Sequence, residues 1–274
     1  MKYIDLEKIF RESNYTFLKK LPVFVRKIFE KILMQDELNR VLTIQENKFG
    51  VDFINGTMQD FNITADVTGL ENLPENKRCF FVANHPFGII DGLVLTKIVS
   101  DKFGPFKSIA NDSFMYIPHM HPVVAAVNSY GKSPKEYIVE LEKVYASDFP
   151  ITHFPAGEVS RPYKKIVEDT VWQKSMITKA VQHKRDIVPF YFHQTNSKLF
   201  LNIFRIRKFF RIKTNIELIL LPKEMFQKRN GTIKVTIGKP ISWKKFDKSK
   251  SQFEWAQKLR AHVYKLKESE LVEF

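Results

Sequence analysis

FFVANHPFGIIDG, residues 80–92, is the stretch on which the reading of this chain turns. Phe80, Phe81, Val82 and Ala83 form a short apolar run of the kind that makes a buried strand, and Ile89, Ile90, Leu93, Val94 and Leu95 resume the apolar pattern at helical spacing. The pattern predicts a strand, a turn and a helix in succession. Such a turn lies at the carboxyl edge of a sheet, where open α/β folds hold their ligands. Here it carries Asn84, His85, Pro86, Gly88 and Asp91, although a plain turn requires neither an imidazole nor an acid. Near neutral pH an imidazole can take a proton from a hydroxyl or an amine, and a carboxylate beside it can fix its tautomer and stabilise the imidazolium. The residues alone allow a second reading. In it His85 merely satisfies backbone carbonyls, and Asp91 sits in a first helical turn because the helix dipole favours an acid there.

Outward from that turn, strand-like and helical runs alternate. Candidate strands cover 62–68, 78–83, 123–127, 150–153, 187–192, 216–221 and 232–237, and candidate helices cover 89–101, 133–146, 170–182 and 251–266. Alternation of this kind predicts an α/β layer architecture, a mixed, largely parallel sheet flanked by helices, with 216–221 and 232–237 near enough to pair antiparallel. Towards the N-terminus, Val25, Ile28, Phe29, Ile32 and Leu33 recur at helical spacing among Arg26, Lys27, Glu30 and Lys31, the pattern of an amphipathic helix. No Gly/Ser/Pro-rich linker follows. The expected organisation is a helical N-terminal arm over 1–45 and an α/β domain over 46–274. At the other end Phe253, Ala256, Leu259, Val263 and Leu266 share one helical face, which predicts a helix packed back on the domain.

Composition narrows the partners. Lysine and arginine number 44 against 30 aspartate and glutamate, and a balance of +14 asks for an anionic partner: a nucleic acid, an acidic protein or an anionic membrane surface. Cys79 is the single cysteine, so no intrachain disulfide forms and a reducing compartment fits. No run approaches the roughly 18 apolar residues of a spanning helix, and the acids near Met1 do not suit a signal peptide, so a cytoplasmic or peripheral protein is expected. Segment 198–213, KLFLNIFRIRKFFRIK, has six basic residues and no acid. Read as a helix it sets Asn202, Arg205, Lys208 and Arg211 opposite Leu199, Ile203, Ile206 and Phe210, which suits either an interfacial helix on anionic lipid or a buried helix with a basic edge. Its basic and aromatic interleaving also suits single-stranded nucleic acid, which keeps open a binding module without catalysis. His119 and His121 would share a face of a strand, but no Cys-x-x-Cys or His-Glu-x-x-His completes a ligand set, so no metal is expected. A serine-hydrolase elbow and a P-loop are both absent.

The stretch Asn84-His85-Pro86-Phe87-Gly88-Ile89-Ile90-Asp91-Gly92 resembles the first block of the lysophospholipid and glycerol-phosphate acyltransferase superfamily, in the form found in its hemolysin-like bacterial branch, which includes ornithine- and glycine-lipid acyltransferases. Phe154-Pro155-Ala156-Gly157-Glu158-Val159-Ser160-Arg161 is similar to the third block, Ile187 to Phe192 to the fourth, and Ile237-Gly238-Lys239-Pro240-Ile241 to a segment that follows. These stretches fall in the family's order over about residues 66–245. Two departures stand out. Ala156 replaces the usual glutamate of the third block, and the block that supplies an arginine to an acceptor phosphate has no clear counterpart near Asn111-Asp112 or Asn128-Ser129.

The resemblance implies a glycerol-phosphate acyltransferase-like fold and transfer of a fatty acyl chain from a thioester on acyl carrier protein or coenzyme A, with no resident cofactor. The acceptor would be a hydroxyl of a single-chain lipid, a lyso-aminolipid or lysophosphatidic acid, or else an amino acid amine. It assigns His85 as general base and Asp91 as its orienting acid. Asn84, Gly88, Phe154, Pro155, Gly157, Glu158, Ser160 and Arg161 become candidate substrate contacts, with backbone amides near Gly88 and Gly157 as oxyanion donors and Arg161 as an anion holder. Residence at the cytoplasmic face of the inner membrane follows from the same resemblance, and no nucleic acid is then expected as a partner.

Overall fold

The computed structural model describes residues 2–12, 19–128, 134–163 and 166–274. Among the described residues, four helices precede the first strand: α1 (Leu6–Glu12), α2 (Val23–Ile32), α3 (Gln35–Ile44) and α4 (Val51–Phe61). Then come β1 (Thr64–Thr68), β2 (Cys79–Ala83), α5 (Ile90–Phe103), β3 (Lys107–Asn111), β4 (Val124–Val127), α6 (Lys135–Ala146) and β5 (Ile151–His153). A hairpin of β6 (Arg161–Tyr163) and β7 (Ile166–Glu168) leads to α7 (Ser175–Gln182) and β8 (Asp186–Phe192). The chain closes with α8 (Lys198–Phe209), α9 (Leu221–Phe226), β9 (Thr232–Ile237) and α10 (Gln252–Lys265).

Among the described residues, seven strands form one sheet in the order β1-β9-β8-β2-β5-β3-β4, and β8 with β9 is its single antiparallel pair. The mixed, largely parallel sheet flanked by helices is therefore as the residue pattern predicts. β2 sits at its centre, and all five of its residues are buried because helices cover both faces. Phe81 and Ala83 point into the apolar layer shared with α4 and α5, while Phe80 and Val82 point into the layer shared with α7 and α10. Val41 and Leu42 of α3 and Phe53, Ile54 and Met58 of α4 lie in the first of these layers. Among the described residues, no helix is long and apolar enough to cross a membrane.

Several local expectations need correcting. Residues 216–221 are not a strand: Ile216–Leu220 is a 3₁₀ turn running into α9, with Pro222 in the first helical turn, where a missing N–H does no harm. β9 takes its antiparallel partner from β8 instead. The helix expected from 170 begins only at Ser175, because the backbone N–H of Trp172 goes to Gln257 Oε1 at 3.2 Å and that of Gln173 to the Pro155 carbonyl at 2.9 Å. Phe253 is exposed, so α10 buries Trp255 in its place along with Ala256, Leu259 and Val263. His119 and His121 lie at a 3₁₀ turn (Pro118–Met120), not on a strand. There the His119 ring is enclosed by Tyr3, Phe49 and Phe53, while His121 Nε2 pairs with the Met115 carbonyl at 2.7 Å. Ser129 and the first residue of the expected helix 133–146 lie outside the described residues.

Candidate active site

β2 ends at Ala83, and the next six residues turn the chain from the sheet into α5. Within that turn the His85 Nδ1–H donates to Asp91 Oδ2 over 2.9 Å. Asp91 is fully buried at the start of α5, where the helix dipole favours its charge. Its Oδ2 also accepts the backbone N–H of Phe87 at 2.9 Å and of Gly88 at 3.2 Å, and its Oδ1 accepts that of Gly92 at 2.9 Å. Four donors thus fix the carboxylate in place. With Nδ1 committed as donor, Nε2 carries the lone pair, and it is the ring atom able to take a proton.

Glycine at 88 is a steric requirement. Its φ is +91°, and a Cβ there would come within 2.8 Å of Val159 Cγ2 and about 3 Å of both Leu221 methyls. The turn carrying His85 is thereby packed against the loop that leads into β6. The backbone joins the two loops as well, since Ser160 N–H donates to the His85 carbonyl at 2.7 Å. From the same loop Phe154 stacks on the imidazole, ring centroids 4.0 Å apart and planes 23° apart. Pro155, Gly157 and Glu158 line a cavity of about 410 Å³ together with His153, Tyr145 and Met176. That volume is in the range of small-molecule sites. His85 is not part of its lining, and Phe154 lies between His153 and Pro155 in the chain. The His153 imidazole is held neutral, its pKa pushed down to about 4 by desolvation and then by the nearby His85.

Other expected contacts go elsewhere. Asn84 is buried and ties two strand ends together: its Nδ2 donates to the Phe192 carbonyl at 3.0 Å and its Oδ1 accepts the Phe192 N–H at 2.7 Å. Ser160 is buried and gives its hydroxyl to Asp169 Oδ1 at 2.6 Å. Arg161 is fully buried, with Nε 2.9 Å from Glu217 and Nη1 donating to the Val159 carbonyl. All three are buried and hydrogen-bonded to groups of the protein itself. Of the backbone amides near Gly88 and Gly157, the Gly88 N–H donates to Asp91 and the Gly157 N–H to the Phe154 carbonyl at 3.0 Å. Motif reading missed Asp169 and Glu217 because the motif residues they meet lie far off in sequence, His85 84 positions from Asp169 and Arg161 56 positions from Glu217. The one local signal was an acid set among apolar neighbours, Val167 and Trp172 for Asp169, Ile216 and Leu218 for Glu217.

Comparison with known proteins gives the following. Residues 8–272 match the model of a family described as Acyltransferase. A lyso-glycine lipid O-acyltransferase of Phocaeicola vulgatus is 39% identical over 264 residues, covering 96% of this chain and 95% of the relative. Another of the same name from Bacteroides thetaiotaomicron is 38% identical over 264 residues, covering 96% and 97%. Among solved structures, the 1-acyl-sn-glycerophosphate acyltransferase PlsC of Thermotoga maritima aligns over 98% of this chain and 97% of its own, with a TM-score of 0.46 and 16% identity.

Proposed function

Because the chain belongs to the acyltransferase family whose model spans residues 8–272, we propose that it moves a fatty acyl chain from a thioester to the hydroxyl of a single-chain aminolipid. Membership makes the chain an enzyme and sets aside the reading as a nucleic-acid module without catalysis. The acceptor class is supported by the 39% identity to a lyso-glycine lipid O-acyltransferase over nearly the whole of both chains. The observation that carries the mechanism is the His85–Asp91 pair at 2.9 Å, with the carboxylate anchored by three backbone amides.

In this reading the acceptor hydroxyl attacks the thioester carbonyl while His85 Nε2 takes its proton, and a C–O bond forms. Collapse of the tetrahedral intermediate breaks the C–S bond, and the imidazolium returns the proton to the departing thiolate. Asp91 keeps the proton on Nδ1 in the resting enzyme and offsets the positive charge as it develops. The donor is acyl carrier protein or coenzyme A carrying the acyl group. Incubating the purified protein with a lyso-glycine lipid and either thioester, and weighing the products by mass spectrometry, tests the reading. A diacylated product whose new bond is cleaved by mild base supports it; no product with either donor, or an amide-linked one, contradicts it.

The same reading has the enzyme docked on the anionic cytoplasmic face of the inner membrane. α8 supports this in an unexpected way. Its buried side is Phe200, Leu201, Phe204 and Arg207, so Leu199, Ile206 and Phe210, expected on the inner stripe of a packed helix, are exposed together with Phe209. Phe209 is 81% exposed and Phe210 66%, beside the exposed cations Arg205, Lys208 and Arg211. Exposed rings among cations suit the boundary of an anionic bilayer. At about 1 kcal/mol per basic residue, changing Arg205, Lys208 and Arg211 together to alanine is expected to weaken binding to phosphatidylglycerol vesicles by roughly 10²-fold at low salt. Vesicle sedimentation checks it, and unchanged binding would move the docking face elsewhere.

A further inference from the structure

Behind the base lies a second buried carboxylate, that of Asp169, which is 1% exposed. Its Oδ1 accepts the backbone N–H of His85 at 3.1 Å and the Ser160 hydroxyl at 2.6 Å, and its Oδ2 accepts the Trp172 indole N–H at 2.8 Å. Ser160 N–H in turn donates to the His85 carbonyl at 2.7 Å. Both backbone polar groups of His85 are therefore held by one Asp169–Ser160 unit. The C-terminal helix closes the unit from outside: the Asp169 N–H donates to Tyr264 OH at 2.7 Å, and Arg260 Nη2 donates to the Asp169 carbonyl at 2.6 Å.

No lysine or arginine pairs with this carboxylate among the described residues. Arg260 spends its charge on Glu168 at 2.9 Å, and the three donors to the Asp169 oxygens are all neutral. Burying an unpaired carboxylate is unfavourable, and here desolvation pushes its pKa up, against the pull of Ser160, Trp172 and His85. A fold that needed only to join two loops would be served by neutral groups. His85 is the one titratable neighbour that becomes a cation in the proposed cycle.

Resting on the reading of His85 as the base, we propose that Asp169 is a positioning residue for the reaction: it locks the His85 backbone to the Ser160 loop and so holds in place the imidazole that Asp91 orients. The consequence is a defect in turnover rather than in acceptor binding when the lock is loosened. Asp169→Asn keeps the shape but sets an amide donor against one of the three donors that now meet oxygens. Displacing a catalytic group by about 1 Å is worth up to ~10²-fold in rate.

The test measures kcat, KM and thermal midpoint for Asp169→Asn, Ser160→Ala, Trp172→Phe, His85→Ala and, as a control for lost stability, Ile233→Ala in the remote core of β9. Asp169→Asn is expected to lower kcat by roughly 10²-fold with KM within about threefold, and each single-donor variant by about tenfold. The control should lose a comparable thermal midpoint while keeping kcat. If Asp169→Asn does not fold, the two single-donor variants decide. An inactive His85→Ala beside lock variants within twofold of wild-type kcat overturns the proposal alone, as does a kcat loss no greater than the control's. Wild-type turnover by His85→Ala overturns it together with the reading it rests on.

Discussion

Asp91→Asn is expected to lower kcat by roughly 10³- to 10⁴-fold while leaving a folded protein. The argument is one of hydrogen-bond polarity. Every group facing the carboxylate is a donor: Nδ1–H of His85 and the amides of Phe87 and Gly88 on Oδ2, the amide of Gly92 on Oδ1. An asparagine offers one acceptor and one donor there. If its oxygen faces His85, the new NH₂ opposes the Gly92 N–H; if it flips, the NH₂ meets Nδ1 and forces the ring proton onto Nε2, which is then no base. In both cases the charge that offsets the imidazolium is gone. Mismatched buried donors cost about 1 to 3 kcal/mol, which a domain of ordinary stability tolerates. Steady-state kinetics beside circular dichroism separate the effects, and a kcat within tenfold of wild type in a folded variant would contradict the assigned role.

The largest loss of stability is expected at Glu217, in a place the function does not touch directly. This fully buried carboxylate lies between two arginines, Arg161 Nε and Arg207 Nε, each at 2.9 Å. Both guanidinium groups also rest on aromatic faces, Arg161 on Phe200 and Arg207 on Phe204, each 5.2 Å from the ring centroid. The cluster already carries one more cation than anion, and Arg161 Nη2 has no hydrogen-bond partner among the described residues. Glu217→Ala leaves two buried cations facing each other, and breaking a buried pair in this way costs about 3 to 5 kcal/mol. Urea unfolding reads this as a lower midpoint at an unchanged slope. A loss below about 1 kcal/mol would mean that water reaches the arginines and the cluster is not a sealed one. Since the cluster seats α8 on β6, and β6 follows directly on Ser160, activity is expected to fall along with stability.

How much of this was legible beforehand depends on the distance over which each feature is written. β2, the histidine turn and α5 lie within some 25 consecutive residues, and their periodicities are unmixed, so the pattern around Phe80 to Leu95 led directly to the site. β3 was not legible, because Lys107-Ser108-Ile109-Ala110-Asn111 shows neither an apolar run nor strong alternation and is a strand through its neighbours β4 and β5. Residues 216–221 read as a strand from Ile216, Leu218, Ile219 and Leu220, but the requirement to bring Glu217 between two arginines outweighs that local preference. Arg161 is the instructive case at the site. A cation at the end of a motif loop reads as an anion holder until the acid 56 positions downstream is seen to meet it. Asp91 was legible as a partner because the turn is short; Asp169 was not, since it reaches the same histidine from the far side of a hairpin.

The central claim is that one imidazole, His85, removes the acceptor's proton. Its most direct test is acyl transfer by purified His85→Ala, measured as diacylated product formed from lyso-glycine lipid, alongside binding of the lysolipid to the same preparation. The account predicts acceptor binding within a few fold of wild type and a transfer rate lower by roughly 10²- to 10⁴-fold. Transfer at the wild-type rate by that folded variant would contradict it.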